Sequence, residues 1–320
     1  ITYSTILSST KPSASFDLLS DYADYMELFK LAQQNVGDAA KYSQTEIDAW
    51  RAAKSNPKST DNEWGIPNSL AYPNTSWTDI LFKANFSQKH DLSVSGGSDN
   101  SSYLLSLGFM DNPGTLKNTA LQRFQIRANV ETKIGKYITF GTQTFAIKDR
   151  KEPGSTSFTY MFQNIPGQTP YYDGRFGAAE SLNESAQANN LLAQVEGSGG
   201  LNTTTRINTT WYAKIKILDG LTGEARFNYQ DYFYNSDTWT KSIPLWSFRT
   251  NTIRLAGTSL ESATVRHQNT RRYQYTATAF LQYQKPFNKN HDINLMAGYE
   301  QFYYNTNATY ASKMGLMDFS

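Results

Sequence analysis

The chain has 320 residues with 30 lysines and arginines against 28 aspartates and glutamates, and its net charge of +2 gives no electrostatic basis for binding nucleic acid. It contains no cysteine, which excludes disulfides, thiolate metal ligands and cysteine nucleophiles. Mean hydropathy is −0.58, and no run of about 18 apolar residues predicts a transmembrane helix. Aromatic residues nevertheless make up 14% of the chain. This combination is typical of a membrane β-barrel, and also of a soluble sugar-binding β-protein.

The N-terminal part changes its period twice. Residues 1–8 alternate apolar with polar and predict a short strand. Residues 16–35 repeat apolar side chains every three or four positions and predict an amphipathic helix, which Ser15 would cap. A second helix is predicted at 44–54. Together these features predict a partly helical loop over 16–75 between two strands.

From residue 86 onward the pattern is almost purely β. Apolar and polar residues alternate in successive segments that end at turn residues. The predicted strands are 88–96, 102–110, 122–134, 137–148, 205–217, 221–234, 268–285 and 291–304.

Three features of these strands favour a barrel in a membrane over a soluble sandwich. The strands exceed the usual mode of about 5–6 residues. Short turns alternate with long loops, and the longest loops are predicted at 9–85, 149–204 and 235–267. In 268–285, small and aliphatic residues lie between tyrosines at both ends, as expected for a hydrocarbon band between aromatic girdles. The predicted fold is therefore all-β: an antiparallel transmembrane β-barrel.

The polar faces of two strands carry charges that suit a water-filled or plug-filled lumen. In 205–217 and 221–234, basic and acidic residues recur at alternate positions opposite the apolar ones. The predicted lumen-facing residues are Arg206, Lys214, Lys216, Glu224 and Arg226.

The sequence contains no motif that predicts catalysis or the binding of a cofactor. The "SGGS" at 95–98 opens no helix, so it is a turn and not a phosphate loop. His90, His267 and His291 are placed on separate strands or loops and are interpreted as surface residues, not metal ligands. We therefore expect no enzyme activity, no metal and no cofactor.

Aromatic residues in the long loops are the candidates for ligand contact. Sugars stack their C–H faces on aromatic rings, and Asp and Arg side chains hydrogen-bond to hydroxyl groups. Tyr171, Tyr172, Asp173 and Arg175 are therefore predicted to touch substrate. The alternative is that the loop aromatics, including Trp64, Trp239 and Trp246, pack against one another or contact a partner protein.

Several motifs resemble one family. They are the segments Trp77–Phe82, His90–Gly97, Tyr103–Phe109, Arg123–Asn129 and Gly135–Gly141 within residues 76–145, with later similarity at 165–177 and 293–300. On these residues the chain resembles the barrel of the SusC/RagA-like TonB-dependent transporters of Bacteroidetes.

The resemblance implies a partial barrel of about nine or ten strands out of the 22 of the family, with the plug, the TonB box and the C-terminal strands absent. Residues 1–320 would be part of one barrel domain whose loops at 16–75, 149–204 and 235–267 are extracellular.

The implied function is active import across the bacterial outer membrane of an oligosaccharide or a peptide. The implied partners are a SusD-like surface lipoprotein that forms a lid, TonB through the missing N-terminal part, and outer-membrane lipid. The alternative is a soluble extracellular carbohydrate-binding or adhesin β-domain, in which the apolar strand face would be a dry core.

Overall fold

The computed structural model describes residues 1–12, 18–154, 162, 164–184, 190–255, 263–288 and 291–315. Its strands are β1 Thr2–Thr10, β2 Asn85–Gly97, β3 Ser101–Pro113, β4 Thr119–Ile134, β5 Ile138–Pro153, β6 Phe176–Gly177, β7 Ser198–Leu218, β8 Leu221–Thr240, β9 Leu245–Ser247, β10 Thr252–Leu255, β11 Thr264–Asn288 and β12 His291–Met314. Nine of them form one sheet in the order β1-β2-β3-β4-β5-β7-β8-β11-β12, and β10, β9 and β6 form a small second sheet. Every pairing in the large sheet is antiparallel.

The helices all lie in the connections between strands. They are α1 Tyr22–Asn35, α2 Gln44–Ser55, α3 Asn68–Ala71, α4 Trp77–Leu81 and α5 Leu191–Glu196. Across the described part of the chain, no helix has the length and apolar character needed to span a bilayer.

The first helix begins later than the sequence predicted. The side chain of Asp21 accepts hydrogen bonds from the backbone N–H groups of Ala23 and Asp24, so α1 begins at Tyr22 and not at residue 16. The predicted cap, Ser15, lies outside the described residues. The second helix matches its predicted start.

All nine predicted strands are present, but most continue further toward the long loops. Backbone pairing of β7 with β8 extends to Ser198 opposite Thr240. The predicted loops 149–204 and 235–267 were therefore too long at these ends, and Trp239 is a strand residue. The reason is that both faces become polar there, so hydrogen bonding continues after the apolar alternation has ended.

The connections differ in length between the two ends of the sheet. The turns at 98–100, 135–137 and 219–220 are short, whereas 11–84 and 154–197 are long connections at the opposite end. The β3–β4 connection, at 114–118, is the exception, since it is short at the long-loop end.

One face of the large sheet is apolar and uncovered. Directly paired residues of antiparallel strands point to the same face, so the register aligns apolar side chains across neighbouring strands. Ile215, Leu107 and Leu281 on this face are 45%, 46% and 50% exposed. One such row is Tyr3, Leu92, Leu107, Ile126, Ala146 and Ile207.

A ladder of aromatic rings crosses the apolar face over β7, β8, β11 and β12. The ring centroids of Trp211 and Phe227 are 6.0 Å apart, those of Phe227 and Tyr275 are 5.7 Å apart, and those of Tyr275 and Tyr303 are 5.2 Å apart. Rings in a band next to aliphatic side chains are the arrangement seen at the membrane interfaces of β-barrels. The antiparallel, two-faced sheet agrees with the predicted fold class.

The two faces predict opposite responses to a new charge at the same depth of β4. We expect Ala128→Arg, on the apolar face, to lower the free energy of unfolding by about 2–4 kcal/mol, because the guanidinium would enter hydrocarbon. Asn129→Arg, on the polar face, should change it by less than about 0.5 kcal/mol. Urea unfolding of the whole protein in phospholipid vesicles measures both, and equal losses would contradict the two-faced assignment.

Candidate functional site: the interlocked long loops and the polar wall

The long connections fold together into one layer, which we call the loop assembly and define as residues 18–84, 164–184, 190–197 and 241–255. Most of the chain's fully buried side chains lie here and not on the large sheet. Removal of their apolar surface from water is the main force that holds the loops together. The largest buried cluster consists of Tyr22, Ala23, Met26, Tyr42, Ile47, Trp50, Ile165 and Ala179.

A second cluster joins α4 to α5. Trp77 and Leu81 of α4 pack against Leu191 and Val195 of α5. The indole Nε1 of Trp77 donates a hydrogen bond to the carbonyl oxygen of Ile165 at 2.8 Å. The long connections 11–84 and 154–197 are therefore joined by apolar contact and by a buried hydrogen bond.

An aromatic cage surrounds the guanidinium of Arg249. Its central carbon lies 4.2 Å from the ring centroid of Trp64, 4.8 Å from that of Tyr72 and 5.4 Å from that of Trp50. Its Nε donates to the carbonyl oxygen of Ala71 at 2.6 Å. Burial lowers the pKa of the Arg249 guanidinium from its ordinary value. Because the rings belong to the first connection and Arg249 to the 241–255 segment, this contact ties the two together.

Glu180 completes the junction from the second long connection. Its carboxylate accepts hydrogen bonds from the backbone N–H of Phe248 at 2.6 Å and from the hydroxyl of Ser247 at 2.7 Å. Its backbone carbonyl accepts a hydrogen bond from Nη1 of Arg249 at 3.3 Å. Burial raises the pKa of the Glu180 carboxyl above its ordinary value. Ionisation of this carboxyl therefore costs more free energy in the folded protein than in water.

Glu184 makes a similar junction with the first long connection. Its carboxylate accepts hydrogen bonds from the hydroxyls of Tyr22 and Tyr42 and from the Nζ of Lys41 at 3.1 Å. The side chain of Glu184 is only 8% exposed. Burial, together with the Glu184 carboxylate, raises the pKa of both tyrosines above the ordinary range, so both phenols stay protonated and donate.

The predicted substrate residues form a tight turn. Tyr172 and Arg175 exchange both backbone hydrogen bonds, at 2.9 and 3.0 Å. Asp173 and Gly174 between them have φ values of 46° and 77°, as a type I′ turn requires. Tyr171 and Tyr172 are 52% and 47% exposed. The turn therefore presents two tyrosines at the surface.

Arg175 is already engaged within the loop assembly. Its guanidinium lies 5.1 Å from the ring centroid of Trp246 and 5.4 Å from that of Phe248, and it donates to Oδ1 of Asn251 at 2.6 Å. Loop self-packing thus accounts for Trp246 and, in the Arg249 cage, for Trp64. Substrate contact by Tyr171, Tyr172, Asp173 and Arg175 stays a prediction.

The polar face of the large sheet carries the other set of predicted residues. Lys214 is directly opposite Glu224, with Nζ and Oε2 4.0 Å apart, and Nε of Arg226 donates to the same carboxylate. The register places all of Arg206, Lys214, Lys216, Glu224 and Arg226 on this face. That the face lines a lumen stays a prediction.

Sequence analysis did not predict which residues hold the loop assembly together. Arg249 and Ala71 are 178 positions apart in the chain, and Tyr22 and Glu184 are 162 apart. No motif spacing connects such pairs. The only available signal was the density of tryptophan and tyrosine in the loops. Over the described ranges, no cluster of His, Cys, Asp and Glu could hold a metal ion.

Fold, exposed apolar band and polar opposite face together define a segment of a membrane β-barrel. No family model matches the chain. It is similar to the TonB-dependent receptor P3 of Formosa agariphila, with 28% identity over 71% of this chain and 22% of that protein. TonB-dependent receptor P26 of the same organism is 23% identical over 91% of this chain and 27% of that protein. The chain thus spans only about a quarter of these relatives.

Two further similarities are with proteins named SusC and RagAB. TonB-dependent receptor SusC of Bacteroides thetaiotaomicron is 36% identical over 69 residues, which are 21% of this chain and 7% of that protein. A solved structure of the RagAB peptide transporter superposes with a TM-score of 0.69 at 16% identity, over 99% of this chain and 36% of the other. The predicted resemblance to SusC/RagA-like TonB-linked outer-membrane transporters, as a partial β-barrel segment, is confirmed.

The Arg249 cage predicts that one substitution loosens the whole loop assembly. We expect Arg249→Met to lower the free energy of local opening by about 2–4 kcal/mol, because it removes charge-assisted hydrogen bonds and desolvated cation–π contacts. Hydrogen exchange of the amides of α2 and α3 measures this. Arg51→Met is the matched control, since Arg51 is an exposed arginine in surface ion pairs worth about 0–1 kcal/mol. Equal protection of these amides in both variants would contradict the proposed role of the Arg249 cage.

The raised pKa of Glu180 predicts a pH dependence. A carboxyl whose folded pKa is raised contributes stability that is complete below its ordinary value of 4.5 and is lost as pH rises through the folded pKa. In hydrogen exchange, the stability of wild type relative to Glu180→Gln should therefore decline over that window. Glu152→Gln, an exposed control at the end of β5, should show no such decline. A difference between wild type and Glu180→Gln that does not vary with pH would contradict the assignment.

Proposed function

We propose that the chain forms part of the barrel wall and the outer loops of a TonB-dependent importer in the bacterial outer membrane, which takes up a nutrient oligosaccharide or peptide. The observation that carries the proposal is the sheet with one exposed apolar face and one charged face. Such a sheet suits lipid on one side and a water-filled path on the other. The similarity to proteins named as TonB-dependent receptors supports the same reading.

The proposed orientation follows from the two ends of the sheet. Short turns face the periplasm and long loops face outward in barrels of this kind. The loop assembly would then be extracellular, including the predicted loops at 16–75, 149–204 and 235–267, and residues 1–320 would be part of one barrel domain. The polar face, with Arg206, Lys214, Lys216, Glu224 and Arg226, would line the path.

We propose that a SusD-like surface lipoprotein docks on the loop assembly. Leu28 and Leu31 on α1 are 53% and 51% exposed, and Val36 at the C-terminal end of that helix is 73% exposed. Elsewhere in the loop assembly, Leu182 is 89% exposed. Exposed apolar side chains that recur on one element are a common sign of a partner surface.

Energy for import would come through TonB, which would act on parts of the protein beyond this barrel segment.

The soluble alternative, a carbohydrate-binding or adhesin domain, requires a dry core on the apolar face. Exposure of Leu107, Ile215 and Leu281 by about half counts against it. Detergent dependence separates the two, because a membrane barrel is recovered from the membrane fraction only with detergent, whereas a soluble domain is found in the aqueous fraction without it.

Three measurements test the importer. A strain that lacks the gene should lose growth on one class of glycan or peptide as sole nutrient, and an uncoupler should abolish uptake in the parent strain. A surface lipoprotein should co-purify with the whole protein from detergent-extracted outer membranes. We expect Arg249→Met to reduce its recovery and Arg51→Met to leave it unchanged. Normal growth of the deletion strain on every nutrient, or no co-purifying lipoprotein, would count against the proposal.

A further inference from the structure

The arginines on the strands of the large sheet fall into two groups. One group is neutralised, since Arg123, Arg226 and Arg271 contact the carboxylates of Asp149, Glu224 and Asp231 respectively. A second group has neither an ion pair nor a side-chain hydrogen bond to any residue that the structure describes on β1–β12. Its members on the polar face include Arg266 and three arginines that each lie against an aromatic ring, Arg127, Arg206 and Arg272.

Arg127, Arg206 and Arg272 are held by aromatic rings. Tyr232 is directly paired with Arg206 on one side and with Arg272 on the other. Both guanidinium carbons lie 5.6 Å from its ring centroid. Arg127 lies 5.6 Å from the centroid of Phe145, its direct partner on β5. Cation–π contact orients a guanidinium without neutralising it, so the N–H groups remain available to an anion.

These arginines border two adjoining hollows in the polar face. The hollow at Arg206 and Arg272 has a volume of about 430 Å³, and the hollow at Arg127 has a volume of about 350 Å³. Phe145 lines both. The polar lining of the larger hollow is rich in amide and phenol groups, supplied by Asn208, Gln230, Gln274 and Tyr304.

The larger hollow contains positive charge with no negative charge on its own face. Asp231 is at its edge, but it pairs directly with Ile207 and Tyr273 of the apolar face, and its carboxylate is bound by Arg271. Arg206 and Arg272 are two strands apart, which is roughly 10 Å at the backbone. Two like charges at that spacing repel, and a bound anion would remove the repulsion and gain charge-assisted hydrogen bonds.

We propose that the Arg206–Tyr232–Arg272 hollow binds an acidic oligosaccharide, one whose sugars carry carboxylate or sulfate groups. The guanidiniums recognise the anionic groups, and the amides of Asn208, Gln230 and Gln274 hydrogen-bond to hydroxyls. The ring of Tyr304, which is 52% exposed, receives sugar C–H groups. This inference rests on the proposed function, since it names the substrate class of the imported nutrient. An acidic peptide would satisfy the arginines but makes less use of the rings and amides.

The test uses the whole protein in detergent and two probes that share one sugar backbone and differ in charge. Hexagalacturonate carries a carboxylate on each sugar, and its methyl ester carries none. Titration calorimetry should show hexagalacturonate binding at least about tenfold more tightly, with the difference reduced at high salt. The double variant Arg206→Gln/Arg272→Gln should lose this preference. Arg123→Gln, on the same face but already paired with Asp149, should keep it.

Four outcomes would overturn the inference. They are failure of wild type to bind hexagalacturonate, equal affinity for the two probes, retention of the preference in the double variant, and tighter binding of hexaglutamate than of hexagalacturonate. If the double variant lowers only the unfolding midpoint, the arginines contact another part of the protein and the inference also fails. None of these results bears on membrane extraction or on the growth of the deletion strain. Failure of this inference would therefore leave the proposed import function untouched.

Discussion

Antiparallel register is the constraint on which this structure depends. Because directly paired residues share a face, one register assigns every side chain of nine strands to lipid or to the polar side at once. A slip of one residue in β4 would move Arg127 to the apolar face and Ile126 to the polar face. In hydrocarbon such a charge costs about 2–4 kcal/mol. The apolar band is therefore also what selects the register.

The hydrophobic core of this chain lies in its loops, and this follows from the same constraint. An apolar sheet face that meets hydrocarbon needs no protein layer to cover it. The loops stand in water, so their apolar side chains can leave water only by packing on one another. Trp50 and Tyr22 are buried together for this reason. The loops consequently form a folded layer with its own caps, clusters and buried charges.

Charged residues serve different purposes in the two layers. In the loop assembly, Glu180, Glu184 and Arg249 are buried and bonded, and they join segments that are distant in sequence. On the polar face, some charges neutralise one another, whereas Arg206 and Arg272 rest on an aromatic ring and keep their donors free. The buried charges of the loop assembly stabilise its fold. The arginines of the polar face keep a positive charge that an anionic ligand can neutralise.

The sequence by itself determined the sheet and its two faces. Strand periodicity is local, so alternation in segments such as 205–217 was sufficient to place strands, faces and short turns. The motifs at 76–145 were sufficient to predict the resemblance to SusC/RagA-like transporters. It did not determine where the strands end, because pairing between β7 and β8 continues through polar residues. It did not determine the cap of α1 either, where Asp21 replaced the predicted Ser15.

Only the tertiary structure decided how the loops interlock and which arginines lack a carboxylate. The contact of Arg249 with Ala71 spans 178 positions, and the meeting of Arg206 with Tyr232 and Arg272 needs three strands in register. Such contacts depend on how distant segments are brought together, and no local pattern records them. The physical reason is that strand periodicity depends on residues close together in the sequence, whereas ion pairs and the Arg249 cage depend on residues that only folding brings together.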